Sequence, residues 1–323
     1  MRVNVVRIDA GEVPEQVSQF ILPHPDSNWF TCYALIPGPL QAGNSVFILF
    51  VVSDERGVAA VIVANLYYHL DGTQLSDPFR LQINGAPMIR TSAPNRTRIL
   101  SLMLSEIAAF SDQFVEITEF RNFPIPLGEV AVYEQFGFRF ESHLNLIKPL
   151  PNLEEAWRSL SKCRRRQIRK ATENGTYVRP AASMEEVRKF YDILEHLYTF
   201  RIQKKLPPFQ AFADFYTRAG KNGDGAILLV VAGGEVIGGM VCLIEPGKSL
   251  TEWYICGLDH EWRHHYPSVM ATWGGISLAC NLGLPEFNFL GLGKPEIPYG
   301  VRDFKLRFGG RTENYGRLVR QKN

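Results

Sequence analysis

The chain predicts a mixed α/β fold used twice, in tandem domains of residues 1–150 and 151–323. One short motif occurs in both halves. Tyr133-Glu134-Gln135-Phe136-Gly137-Phe138 echoes Asp303-Phe304-Lys305-Leu306-Arg307-Phe308-Gly309-Gly310, with the Phe-Gly pairs 308 − 136 = 172 residues apart. Each reads as a short helix ending at Phe-Gly ahead of a closing strand, over 139–147 and 312–320. The second observation is that the elements before each motif repeat in one order. The third is length: 323 residues exceed the ~250–300 at which single cores stop growing.

Each half opens on an apolar hairpin, 45–52 with 58–66 and 226–232 with 236–244, the latter across Gly233-Gly234. A helical pattern follows, 97–110 and 268–282, the second stopped by Gly283 where a C-cap favours glycine. A strand comes next, 114–120 and 286–290. Leading hairpins make the sheets mixed, not all parallel.

Composition narrows the function. With 46% apolar residues and no apolar run near the ~20 a spanning helix needs, the chain reads as globular, without a transmembrane segment. Met1-Arg2-Val3-Asn4 opens no signal peptide, and five cysteines without a Cys-x-x-Cys pair argue for a reducing, cytoplasmic setting. A net charge of +2 is too small to imply nucleic acid globally. Locally, Lys162, Arg164, Arg165, Arg166, Arg169 and Lys170 place six cations in nine residues. One helix from about Leu153 to before Asn174 is expected to carry them, its acidic start and basic end suiting the helix dipole. The plain reading is a solvated face; the functional one is an anion or donor site at Arg165, Arg166 and Arg169.

Taken in order, the segment Leu160 to Ala171, then Asn174-Gly175, Phe190-Tyr191, Arg201, Gly238-Gly239, Tyr254, Pro267, Trp273, Ala279, Gly283 and Phe304-Lys305-x-x-Phe308-Gly309 resembles the Fem-type aminoacyltransferases of the tandem GNAT acyltransferase superfamily. The N-terminal half agrees through Gly85-Ala86-Pro87-Met88-Ile89 and Gly137-Phe138. No long heptad-patterned insertion follows in the second half, so the resemblance is to members without a coiled-coil arm. It implies two GNAT-like domains and transfer of an aminoacyl group from tRNA to an amine of a peptidoglycan or surface-polysaccharide precursor, small or lipid-linked. It also implies no resident cofactor, the acyl donor being a co-substrate, and gives no oligomeric state.

By the same resemblance Lys305 is the catalytic cation, aimed at a transient oxyanion, and is expected outside the core. Phe304, Tyr254, Arg201 and Tyr198 are the candidate substrate-binding residues. Phe304 reads more as an interface packing residue than as a substrate contact, and each of the other three reads equally as an interface side chain.

Single-domain GNAT enzymes cradle coenzyme A pyrophosphate on a Gly-rich turn at a helix start. Here the turns read Ala93-Pro94-Asn95-Arg96-Thr97-Arg98 and His265-Tyr266-Pro267-Ser268-Val269-Met270, without those glycines. An acyl-CoA donor is therefore the lesser alternative, and a non-catalytic anion-binding protein on a duplicated scaffold is another. His260-Glu261-Trp262-Arg263-His264 spells a zinc-protease motif, but Pro267 leaves too little helix for it and no metal is expected. Cys163 lies among arginines without a histidine partner and receives no catalytic role.

Overall fold

The computed structural model describes residues 2–8, 13–33, 45–71, 74–90 and 95–322. Met1, and Ala93-Pro94 of the first candidate turn, lie outside the described residues. The chain forms two compact units, 1–143 with 314–323, and 144–313.

In the first unit the order is β1 (Arg2–Ile8), α1 (Glu15–Ile21), α2 (Trp29–Tyr33), β2 (Ser45–Asp54), β3 (Gly57–Asp71), β4 (Gln74–Asn84), β5 (Met88–Ile89), α3 (Arg96–Phe114), β6 (Ile117–Arg121), α4 (Leu127–Glu134) and β7 (Arg139–Glu141). The second unit holds β8 (Leu144–Pro149), α5 (Leu153–Arg158), α6 (Lys162–Glu173), β9 (Tyr177–Pro180), α7 (Met184–Leu197), a π-helical turn (Tyr198–Ile202), α8 (Phe209–Asn222), β10 (Gly225–Ala232), β11 (Glu235–Glu245), β12 (Ser249–Gly257), α9 (Pro267–Asn281), β13 (Glu286–Gly293), α10 (Gly300–Leu306) and β14 (Arg311–Asn314). Last comes β15 (Arg317–Gln321), which returns to the first unit.

Both sheets are mixed, as their leading hairpins require. The first runs β1-β2-β3-β4-β6-β15-β7, the second β14-β8-β13-β12-β11-β10-β9. Strand alternation buries Phe50, Ile62, Ile83 and Phe120 against Ile99, Met103 and Ile107 of α3 in one core. Met240, Leu250, Phe287, Phe289 and Phe308 meet Met270 and Ile276 of α9 in the other. Gly233 and Gly234, at φ 59° and 83°, make the two-residue turn joining β10 to β11.

Three details differ from the sequence reading. Each predicted closing strand is broken, and its second piece joins the other unit's sheet. β8 inserts between β14 and β13, burying Leu146 in the second core, whereas β15 inserts between β6 and β7, burying Leu318 in the first. A cut at residue 150 therefore separates both strands from the sheets they complete. The breaks fall at Ser142-His143 and Tyr315-Gly316, where Gly316 takes φ 69° and donates its N–H to the His143 carbonyl at 3.1 Å.

The helix expected over 153–173 is two helices. Ser161 ends the continuity by accepting from the Arg164 N–H at 3.3 Å as the N-cap of α6. Lys162, Arg165 and Arg166 thus stand near an N-terminus, where the dipole does not favour cations, so the end-charge explanation holds for Lys170 in the last turn of α6 and not for these three. Third, Phe308 is fully buried while Phe136 is only half-buried, its unit's rings at that point being Tyr133 and Phe138.

Candidate active site

The site starts from an interrupted strand pair. β12 and β13 are parallel neighbours over only three positions, Ser249↔Glu286 to Thr251↔Asn288. β13 then bulges: its register against β8 shifts between Asn288 and Gly291, and Leu290 takes φ 57°, left-handed for a non-glycine. The Asn288 side chain secures that bend by accepting the Leu290 N–H at 2.8 Å. Strained backbone of this kind persists where surrounding structure holds it and concentrates at functional sites.

Lys305, on α10, reaches this bend. Its Nζ donates to the Phe289 carbonyl and lies 3.2 Å from Glu252 Oε1 of β12. Glu252 is 2% exposed and also accepts from Thr272 Oγ1 of α9 at 3.4 Å. Lys305 is itself buried at 8% exposure, which corrects the expectation that it lies outside the core. An ammonium has three donors. Two are committed to Phe289 and Glu252, leaving one among the described residues.

Two further buried cations grip α10 and its exit. Arg164, 4% exposed, donates to the Phe304 carbonyl at 3.0 Å, with its guanidinium carbon 4.3 Å from the Phe304 ring centroid and 4.9 Å from that of Phe308. Burial, then repulsion from Arg307, pulls this guanidinium down to about 10. Lys148 of β8 donates to Ser159 Oγ and, at 2.8 Å, to the Phe308 carbonyl. Burial pulls its ammonium down to about 8. The Phe-Lys-x-x-Phe segment is thus tied down on both sides of Lys305.

The start of α9 is already capped by a carboxylate. Asp259 accepts from the Ser268 N–H at 3.2 Å and from the Ser268 hydroxyl, and Tyr266 precedes Pro267 at φ 47°. The N–H groups a pyrophosphate would seek face a negative charge of the chain's own. In the first unit Arg96, at the start of α3, pairs with Glu129 at 2.8 Å.

The other predicted residues divide. Tyr198 and Tyr254 come together, ring centroids 6.0 Å apart, with Phe212 5.3 Å from Tyr254. Burial and the nearby Tyr299 push the Tyr198 phenol up to about 12. Arg201 is exposed on the π-helical turn, a distortion frequent at functional sites. Phe304 packs against Phe308 at 5.4 Å beneath Arg164 and belongs to the second core.

Of the three arginines, Arg165 donates to the Arg158 carbonyl at 2.7 Å, Arg169 lies 5.5 Å over Trp157, and Arg166 is exposed. His260 and His264 sit in consecutive turns, and among the described residues no three His, Cys, Asp or Glu side chains gather as a metal site.

Sequence reasoning missed Glu252, Thr272 and Lys148, and read Arg164 only as one of six clustered cations. The available signal was a carboxylate amid Leu250-Thr251-Glu252-Trp253, on a strand otherwise apolar enough for a core.

The corresponding place in the first unit is closed. β4 and β6 stay in register from Arg80↔Ile117 to Asn84↔Arg121, and Gly85 continues with its N–H to the Arg121 carbonyl at 3.0 Å. Asn28 then donates to the Asn84 carbonyl at 3.1 Å, and Asn122 to the Asn84 side chain at 2.9 Å.

Comparison with known proteins bears on the fold. Residues 158–306 match the family model described as an acetyltransferase (GNAT) domain. The whole chain resembles the crystal structure of FemX, with TM-score 0.70 at 12% identity, covering 99% of this chain and 98% of that one. It also resembles L-PGS from Bacillus licheniformis (0.61, 14%, 98% and 95%) and a tandem GNAT protein from the clavulanic acid biosynthesis pathway (0.58, 10%, 98% and 97%). Among curated proteins no sequence matches.

Residues 158–306 thus carry a GNAT-domain match, and the fold over the whole chain is that of tandem GNAT proteins. The fold is also similar to that of FemX, and the sequence match falls in the second unit.

Proposed function

We propose that the chain transfers an aminoacyl group from aminoacyl-tRNA to an amine of a peptidoglycan or surface-polysaccharide precursor. One observation carries the reading. A buried lysine beside the point where β12 and β13 part is fixed by Glu252 and the Phe289 carbonyl, two partners for three donors among the described residues. The amine nitrogen attacks the ester carbonyl carbon, forming a C–N bond and moving an electron pair onto the carbonyl oxygen. Lys305 donates to that oxyanion, a type of contact worth ~10²–10³ in rate. Collapse breaks the C–O bond, and the departing oxygen takes up the proton the amine loses.

Tyr198, Tyr254 and Arg201 are the acceptor-side groups in this reading, and the exposed cations of α6 suit a polyanionic donor. Asp259 at the start of α9 disfavours coenzyme A. The likeness to FemX and to L-PGS supports aminoacyl transfer in general, with the acceptor left to experiment. Incubation with labelled aminoacyl-tRNAs, acyl-CoAs and candidate amine precursors tests it. Transfer from tRNA that is lost in Lys305→Met is expected, whereas transfer from acyl-CoA alone would overturn the donor assignment.

A further inference from the structure

We propose a second, anion-binding site in the first domain, where Arg80, Arg121 and Arg317 gather around the buried carboxylate of Glu119 to hold a phosphate or carboxylate group of a ligand. Sheet register brings these residues together. β4 and β6 pair in parallel with Gln82 beside Glu119, and β15 pairs antiparallel with Leu318 beside Phe120. Arg80, Glu119, Arg121 and Arg317 therefore share the face opposite Leu81, Ile83, Phe120 and Leu318 of the core.

Charge does not balance on this face. Arg317 donates to Glu119 Oε1 at 2.7 Å, while Arg80 and Arg121 approach Oε2 at 3.4 and 3.8 Å. Glu119 is 2% exposed; the three arginine side chains keep 36%, 28% and 24% exposure for Arg80, Arg121 and Arg317. Counting also the β7 residues of this face, Glu141 opposite Arg317 and Arg139 opposite Val319, four guanidinium groups meet two carboxylates.

Guanidinium groups do not relieve such crowding by losing a proton near neutrality. Burial first, then Arg317, pulls Arg121 below its ordinary range, as expected for cations held close together. The Nε atoms of Arg80 and Arg121 and Glu119 Oε2 are buried and have no hydrogen-bond partner among the described residues, and Arg121 also donates to Gln82 Oε1 at 3.3 Å, so a ligand would meet the exposed parts of these side chains. A bidentate oxyanion matches the planar fork of arginine and supplies the missing negative charge.

This site is separate from the α6 cations and does not rest on the transfer reading. It is tested with Arg165, Arg166 and Arg169 all changed to Gln, which removes α6 as a competing anion surface. Inorganic pyrophosphate and, separately, succinate are titrated by calorimetry. Saturable binding of at least one is expected, and which one identifies phosphate or carboxylate as the ligand group. Arg80→Gln or Arg121→Gln weakens it about tenfold or more. Glu119→Gln tightens it, because the internal carboxylate no longer competes; a purely structural cluster would lose stability with no such gain. Where Glu119→Gln does not fold, Arg80→Gln, at the most exposed of the three, decides. No saturable binding of either anion, or binding unchanged in Arg80→Gln, overturns the proposal.

Discussion

Tyr133 and Lys305 occupy the same place in the two halves, 305 − 133 = 172 residues apart and three before the Phe-Gly turns at Phe136 and Phe308. Both are buried. Tyr133 meets the rings of Phe120 and Phe138 at 5.3 and 6.1 Å, whereas Lys305 meets Glu252 and the Phe289 carbonyl. The second domain has a charge where the first has a phenol.

Lys305→Met is expected to lower transfer by ~10²–10³. It also leaves Glu252 buried without its cation, at a cost of ~3–5 kcal/mol in urea unfolding. The double change with Glu252→Gln should recover much of that stability and none of the turnover. Equal recovery of both would show that Lys305 only supports the fold.

Tyr133→Phe should be neutral or raise stability by up to ~1 kcal/mol. The Tyr133 hydroxyl is buried with no hydrogen-bond partner among the described residues, so removing it relieves a desolvation cost while the ring contacts remain. A loss above ~1 kcal/mol in chemical unfolding would mean that the hydroxyl has a partner in solution.

Acetyl-CoA should bind the native protein more weakly than micromolar by calorimetry. Asp259→Ala frees the Ser268 N–H and removes the negative charge at the start of α9. Affinity for acetyl-CoA should then rise, with a stability loss of ~0.5–2 kcal/mol from the missing cap. Micromolar affinity in the native protein would contradict the capped helix start.

Lys148 predicts a pH dependence of stability. Its folded value, drawn down by burial to about 8, lies below the unfolded one near ~10.4. Between these values the unfolded chain holds a proton that the folded chain has released, so this lysine makes stability rise with pH across that window. Cys242 and Cys256, pushed up by burial, act in the opposite direction above their ordinary range. The expected observation is therefore a difference: between pH 8 and 10, native protein gains stability relative to Lys148→Met. A constant difference across that range would show that the buried ammonium does not titrate there.

The order of elements was legible because hairpin turns, helix periodicity and the Phe-Gly turns are local signals. Gly233-Gly234, Gly283 and Phe308-Gly309 each announced a chain reversal that backbone geometry requires. Strand exchange was not legible, since β7 and β8 are separated by only two residues and read as one strand until register assigns β8 to the other sheet. The break at Ser161 was hidden for a related reason: the stretch over 153–173 is helix-forming on both sides of a single capping residue. Lys305 was found by motif, but its burial depends on Glu252, 53 residues earlier, which periodicity cannot pair with it.

The placement of β15 also sets a timetable for synthesis. The first sheet cannot fill the position between β6 and β7 until residues 314–323 have been made, well after residue 143. At ~5–20 residues per second, that gap of 314 − 143 = 171 residues lasts about 9–34 s. Through that interval β6 presents an unpaired edge. Nascent chains should therefore engage chaperones longest just after residue 143 emerges, and a ribosome stalled before residue 314 should hold a protease-sensitive first half.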